Sequence, residues 1–129
     1  MDKKTTSILV VVGFLVIALA VFLFFQSSDS QKKLAELENQ ITYYYGDNCP
    51  HCQNILKFIE ENKIAEKVTF TKKEVSKNVS NGSEFLQVAK KCGIAATEAG
   101  VPLVYAEGKC SMGEVEVMDF FKKKAGISQ

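Results

Sequence analysis

The chain has no arginine; all 16 of its basic residues are lysine. The planar fork that grips phosphates and base edges through paired hydrogen bonds is therefore absent. The formal charge is +1. A near-neutral chain has no field with which to gather a polyanion, so nucleic acid is not an expected partner. Histidine occurs once, at His51, and proline twice, at Pro50 and Pro102. Length and apolar content (129 residues, 47% hydrophobic) suit one small domain and one further segment.

What is present concentrates in Tyr43 to Cys52, which reads Tyr-Tyr-Tyr-Gly-Asp-Asn-Cys-Pro-His-Cys. An apolar run ends in a short polar turn, and a helix-like segment begins at the first cysteine. A Cys-x-x-Cys pair between a strand and a helix reads as a redox dithiol. Cys49 falls at the helix start, where free N–H groups and the helix dipole favour a thiolate. The thiolate is the attacking species, so Cys49 is the expected nucleophile and Cys52, one turn further on, its partner. Pro50 suits the first helical position, where no N–H is needed. A protonated His51 would stabilise the neighbouring thiolate and make the disulfide a stronger oxidant. Gln53 follows Cys52, so the Cys-x-x-Cys-His pattern of haem attachment is not met.

The N-terminal segment carries a different signal. Ile8 to Phe25 has no charged residue and is long enough to cross most of a hydrocarbon core of ~30 Å. Ala18-Leu19-Ala20 resembles a cleavage site, but Val21 to Phe25 continue the apolar run where a cleaved leader turns polar. The expectation is an uncleaved anchor at 8–25, with 1–7 cytoplasmic, 26–40 a polar linker or stalk, and 41–129 the folded domain outside the cytosol. Lys3 and Lys4 favour a cytoplasmic N-terminus, and a disulfide-forming pair is most useful outside the cytosol. Ser30 is expected to cap a short helix with Leu34, Leu37 and Ile41 on one side.

Within the domain the expected elements are a strand over 41–45 and a helix over 50–63. A second strand follows over 67–75, where Val68 and Phe70 alternate with polar residues. A polar loop over 76–83 holds two acceptor triplets for N-glycosylation, Asn78-Val79-Ser80 and Asn81-Gly82-Ser83. Next come a helix over 83–92 with Phe85, Val88, Ala89 and Cys92 on one face, strands over 101–105 and 109–112, and a helix over 114–124 with Val117, Phe120 and Phe121 inward. The order is β-α-β-α-β-β-α. A parallel first half and an antiparallel second half make an α/β fold, a mixed four-stranded sheet with helices on both faces.

This order, with Cys49-Pro50-His51-Cys52 after the first strand and Val101-Pro102 opening the third, resembles the thioredoxin superfamily. The compact outline is similar to glutaredoxins, and the Cys-Pro-His-Cys quartet resembles the bacterial periplasmic disulfide oxidases of the DsbA type. The resemblance covers about Ile41 to Ala125. It implies a cis peptide bond before Pro102, beside the active cysteines, with Val101 meeting the substrate backbone; Tyr45 is the other expected substrate contact. Met112-Gly113-Glu114 carries half of the Gly-Gly-acidic signature with which glutaredoxins hold glutathione. There is no room for the helical insertion of the DsbA proteins. The activity implied is thiol–disulfide exchange; the Pro50 and His51 argument favours donating disulfides over reducing them. Thiol-containing proteins are the substrates, a membrane or soluble redox partner is required, and no cofactor or metal is expected.

Cys92 and Cys110 leave three readings open: a structural disulfide, two buried thiols, or a second redox pair. Their spacing lacks the knuckles of a four-cysteine zinc site. Two further functions remain alongside thiol exchange. One is a non-catalytic or Cu(I)-handling thioredoxin-like module, using Cys49, His51 and Cys52 as soft ligands; the other is a tethered glutaredoxin-like reductase facing the cytosol.

Overall fold

The computed structural model describes residues 3–127. The chain divides into two units, 1–35 and 36–129. The outermost residues of the expected first and last segments, 1–2 and 128–129, lie outside the described residues.

The first unit is helical. Helix α1 runs Lys3–Glu38. Its Ser7–Phe25 stretch has a mean hydropathy of 3.3, and none of it is buried. At ~1.5 Å per residue this stretch matches a hydrocarbon core of ~30 Å. Length and composition are what it shares with a membrane span; a leader sequence shares them too. The helix does not break where a linker was expected. Neither glycine nor proline occurs between Gly13 and Gly46, and 31–38 is rich in Lys, Glu, Leu and Ala, which favour helix. Ser30 therefore starts no separate helix.

The second unit begins inside the last turn of α1, where Leu37 is buried. Strand β1 is Thr42–Tyr45, helix α2 Pro50–Glu61, helix α3 Ile64–Lys67 and strand β2 Thr71–Glu74. Helix α4 is Val79–Lys91, strand β3 Leu103–Ala106, strand β4 Lys109–Met112 and helix α5 Glu114–Ala125. The sheet order is β2-β1-β3-β4. Strand β1 pairs parallel with β2 and antiparallel with β3, and β3 pairs antiparallel with β4. The mixed four-stranded sheet is as expected, and apart from the short α3 the elements follow the expected order along the chain.

The period of two along β1 divides the core. Tyr43 faces one side, edge-on to Phe121 at 5.9 Å, in a cluster with Ile55, Ile59, Ile64 and Val117. Tyr44 faces the other, against Phe85 of α4. Helices α2, α3 and α5 thus cover one face and α4 the other. On the α4 side the Tyr44 hydroxyl donates to Glu84 Oε1 at 2.9 Å, and Lys73 pairs with the same carboxylate. A carboxylate only 5% exposed is tolerated there because it is paired. Burial, then the Glu84 carboxylate, push the Tyr44 phenol above its ordinary pKa.

Several boundaries differ from the expected ones; β1 begins at Thr42, and β3 spans Leu103–Ala106 where 101–105 was expected. The helix after the cysteines stops at Glu61 because Lys63 is left-handed (φ 51°), and the one-turn α3 follows with Ile64 fully buried. That turn uses the backbone up to Val68, whose N–H bonds Ile64 O at 2.8 Å. Strand pairing consequently begins at Thr71, although Val68 and Phe70 do face the core. Helix α4 starts earlier than expected, because Asn78 caps it by accepting from the Asn81 N–H at 3.0 Å. Both acceptor triplets therefore lie in the cap and first turns of a helix, not in a loop. The hairpin turn Glu107-Gly108 has positive φ at both residues (53° and 75°), as a two-residue turn of this hand requires.

Cys92 and Cys110 form a disulfide with Cα atoms 6.0 Å apart, tying the C-cap of α4 to β4. Both residues are half-buried.

Candidate active site

The turn after β1 delivers the first cysteine to the start of α2. Cys49 is the N-cap, with extended φ and ψ (−100°, 109°), and Pro50 fills the first helical position. The Cys52 N–H donates to Cys49 Sγ at 3.1 Å. A sulfur thus takes the place that a Ser or Asp oxygen holds in an ordinary cap. Cys49 and Cys52 form a disulfide, Cα atoms 5.2 Å apart. Cys49 is half-buried and Cys52 wholly buried, so only one sulfur faces a partner. Tyr43 anchors the far side of the motif, its hydroxyl donating to Cys52 O at 3.3 Å.

The Val101–Pro102 bond is cis. Val101 O lies 3.7 Å from Cys49 Sγ, across 52 positions of sequence. Gly46 closes the gap between these loops. A Cβ there would stand 2.6 Å from Ser76 Oγ, 3.6 Å from Val101 Cγ2 and 3.7 Å from Cys49 Cβ. The local signal for this close approach is a glycine between a buried strand and the motif.

His51 reaches α5. Its Nδ1 meets Glu114 Oε2. Asn54 Nδ2 donates to Glu114 Oε1 at 2.9 Å. The His51 side chain is 69% exposed and that of Glu114 27%. The His51 contact first, and Asn54 second, hold the Glu114 carboxyl below its ordinary range. Gly113 makes this arrangement accessible. Its φ of 96° and ψ of 160° are essentially reserved to glycine, and its N–H bonds Pro102 O at 2.8 Å. The chain therefore turns into α5 directly beside the cis-proline loop. In the sequence Glu114 marks a helix start and half of a family signature; its contact with His51 spans 63 positions and leaves no local pattern.

His51, Val101, Pro102, Gly113, Glu114 and Met118 line a groove of about 720 Å³ alongside the motif. Val115, Asp119 and Lys122 complete its rim. Tyr45 is not part of this lining; its ring stacks on Tyr43 at 5.8 Å, against the core. Among the described residues no group of three or more His, Cys, Asp or Glu is arranged to hold a metal ion. Chemically, the site offers one accessible sulfur with a donor N–H aimed at it, a buried sulfur bonded to it, and an apolar groove with a carbonyl at its edge.

No family model matches the sequence, and no curated protein matches it. Solved structures do match by fold. One is a mutant of the thioredoxin-like protein BC3987, with 18% identity, a TM-score of 0.50, and coverage of 69% of this chain and 97% of the other. Another is oxidized glutaredoxin 2 from Chlamydomonas reinhardtii, with 16% identity, a TM-score of 0.50, and coverage of 78% and 97%. A third is a buckwheat glutaredoxin–glutathione complex, with 17% identity, a TM-score of 0.51, and coverage of 78% and 84%. At these identities the likeness establishes the fold, which is thioredoxin-like.

Proposed function

We propose that the chain is a thiol–disulfide oxidoreductase, held at a membrane by 8–25 with its catalytic domain outside the cytosol, that donates the Cys49–Cys52 disulfide to thiols of exported proteins. The observation that carries this reading is the half-buried Cys49 sulfur at the head of α2, 3.1 Å from the Cys52 N–H, with Cys52 buried behind it. A substrate thiolate attacks Cys49 Sγ; the S–S bond breaks and its electron pair leaves on Cys52, which takes a proton. A second substrate thiolate attacks the substrate sulfur of the mixed disulfide. Cys49 leaves as a thiolate, stabilised by the N–H groups at the helix start. The substrate has lost two electrons and gained a disulfide, and a disulfide-bearing partner restores Cys49–Cys52. Pro50, His51 and Pro102 shape the site, and the Val101 backbone is the contact for the substrate chain.

The test is a pair of cysteine variants of the full-length chain, assayed by oxidation of a reduced, unfolded protein. Cys49→Ser abolishes activity, and Cys52→Ser accumulates mixed disulfides through Cys49. Turnover of Cys52→Ser at the wild-type rate overturns the reading. A potential near ~−120 mV marks a disulfide donor and one near ~−270 mV a reductase. Labelling of Cys49 by an impermeant thiol reagent in intact, reduced cells checks the extracytoplasmic placement.

A further inference from the structure

We propose that Glu114 is a positioning residue that restrains the oxidising power of the dithiol, by holding His51 on the α5 side of the motif and cancelling its charge. The proposal rests on the thiol-exchange reading above and concerns the tuning of that same site.

The geometry is specific. Both carboxylate oxygens of Glu114 are engaged by residues of α2, Oε2 by His51 Nδ1 and Oε1 by Asn54 Nδ2. The carboxylate also sits at the first position of α5, where the helix dipole favours negative charge. It is thus held in place by Asn54 and the helix start even without His51. The other charged groups along the groove are Asp119 and Lys122 of α5, which pair with each other at 3.8 Å. The cis-proline loop contributes only Val101 and Pro102. Asp47, in the turn before the motif, is tied to Lys77 at 2.7 Å. Among the described residues lining the groove, Glu114 and His51 are therefore the ionisable pair that links α5 to the helix bearing the dithiol.

The sign follows from counting charge. Reduction by glutathione consumes two glutathione thiols and the Cys49–Cys52 bond. It gives glutathione disulfide, a Cys49 thiolate, a Cys52 thiol and one proton. Positive charge nearby favours the thiolate, hence the reduced form, hence a higher potential. With Glu114 ionised, the pair carries between −1 and 0, whatever the protonation of His51. Without the carboxylate it carries between 0 and +1. Removing Glu114 makes the field at Cys49 more positive at every pH above the carboxyl's titration. A histidine that looks like an oxidant's device in the sequence is thereby offset by a carboxylate 63 positions away.

The experiment measures the Cys49–Cys52 potential of the full-length chain in detergent against glutathione buffers at pH 7. Trapped thiols are assigned to Cys49 and Cys52 by peptide mass spectrometry, so that Cys92–Cys110 does not contribute. The variants are Glu114→Gln, His51→Gln and the double variant. The expected order of potentials is E114Q at or above the double variant, then wild type, then H51Q lowest. The shift on removing Glu114 is about threefold to tenfold in the equilibrium constant, or ~15 to ~30 mV, and has the same sign with and without His51. It shrinks in 1 M salt, because the His51 side chain is 69% exposed and the pair is open to solvent on that side. A role for Glu114 confined to starting α5 would change unfolding midpoints and leave the potential at its wild-type value at either salt concentration. An unchanged or lowered potential in E114Q overturns the inference while the exchange reading stands. Failure of the wild-type pair to equilibrate with glutathione overturns the exchange reading, and the inference with it.

Discussion

Replacing Cys92 and Cys110 together by alanine should cost the folded domain about 3 kcal/mol. The bond joins the end of α4 to β4 across a separation of 18 residues. In the chain-entropy model, a loop of this length removes roughly 11 cal/mol/K from the unfolded ensemble, which is about 3 kcal/mol at 25 °C. Both cysteines are half-buried, so lost burial adds roughly 1 kcal/mol at most. For a unit spanning 36–129, unfolding entropy is about 0.2 kcal/mol/K, and the loss corresponds to a drop in Tm of about 15 °C. The assay is urea unfolding of the full-length oxidised chain and the double variant in the same mild detergent. The m-value should rise in the variant, because its unfolded state is no longer cross-linked and exposes more surface. A loss below about 1 kcal/mol would refute the reasoning. It would mean that the reference ensemble already holds α4 and β4 together, so that the bond closes no open loop.

Other outcomes follow from the same packing. Phe121→Ala should cost about 3–5 kcal/mol by thermal unfolding, since this ring is fully buried and meets Tyr43, Phe70 and Phe120. Gly113→Ala should cost about 1–3 kcal/mol because of its positive φ, and should also weaken the His51–Glu114 contact, visible as a changed His51 ring signal in NMR. Stability should decline in acid. The Lys124 contact holds Glu107, and the His51 contact holds Glu114, below the unfolded value of 4.5. A depressed folded pKa gives stability that is present above the unfolded value and lost as pH falls through the folded one. Tm should thus be flat above about pH 5 and fall below 4.5, with a smaller fall in a Glu107→Gln, Glu114→Gln double variant.

Elements with strong local signals were legible in the sequence. Strand β4 was read with its observed limits, Lys109–Met112, because a turn glycine fixes one end and Gly113 the other. The start of α2 was legible because Cys49-Pro50 is both a cap and a first helical turn. What was missed depends on tertiary partners. Polar composition hid the start of α4, since Asn78 and Asn81 cap a helix as readily as they line a loop. The αL residue Lys63 ends the helix expected over 50–63 and opens the unexpected α3, and lysine carries no signal for that conformation. Glu84 reads as a solvated helix residue until Lys73 and Tyr44 are brought to it across the sheet. Serines and an aspartate at 27–30 suggested a break, yet the helical residues on both sides carry α1 through them.

The site itself is a consequence of strand register. Tyr44 of β1 pairs with Leu103 of β3, so the end of β1 that leads into the motif meets the end of β3 that follows Pro102. Leu103 pairs in turn with Met112, so the hairpin returns Gly113 to the same edge. Three segments separated by about fifty and about ten residues converge because two antiparallel pairings place their ends together. Two helices consequently begin there, and each head is an anion-binding position. The head of α2 is taken by the Cys49 sulfur, which accepts the Cys52 N–H. The head of α5 is taken by the chain's own Glu114 carboxylate, while Glu116 accepts from the Met112 N–H at 3.2 Å. Only the first head carries a group whose charge changes with its oxidation state. The second supplies a fixed negative charge against which that change takes place, and His51 of α2 is paired with it.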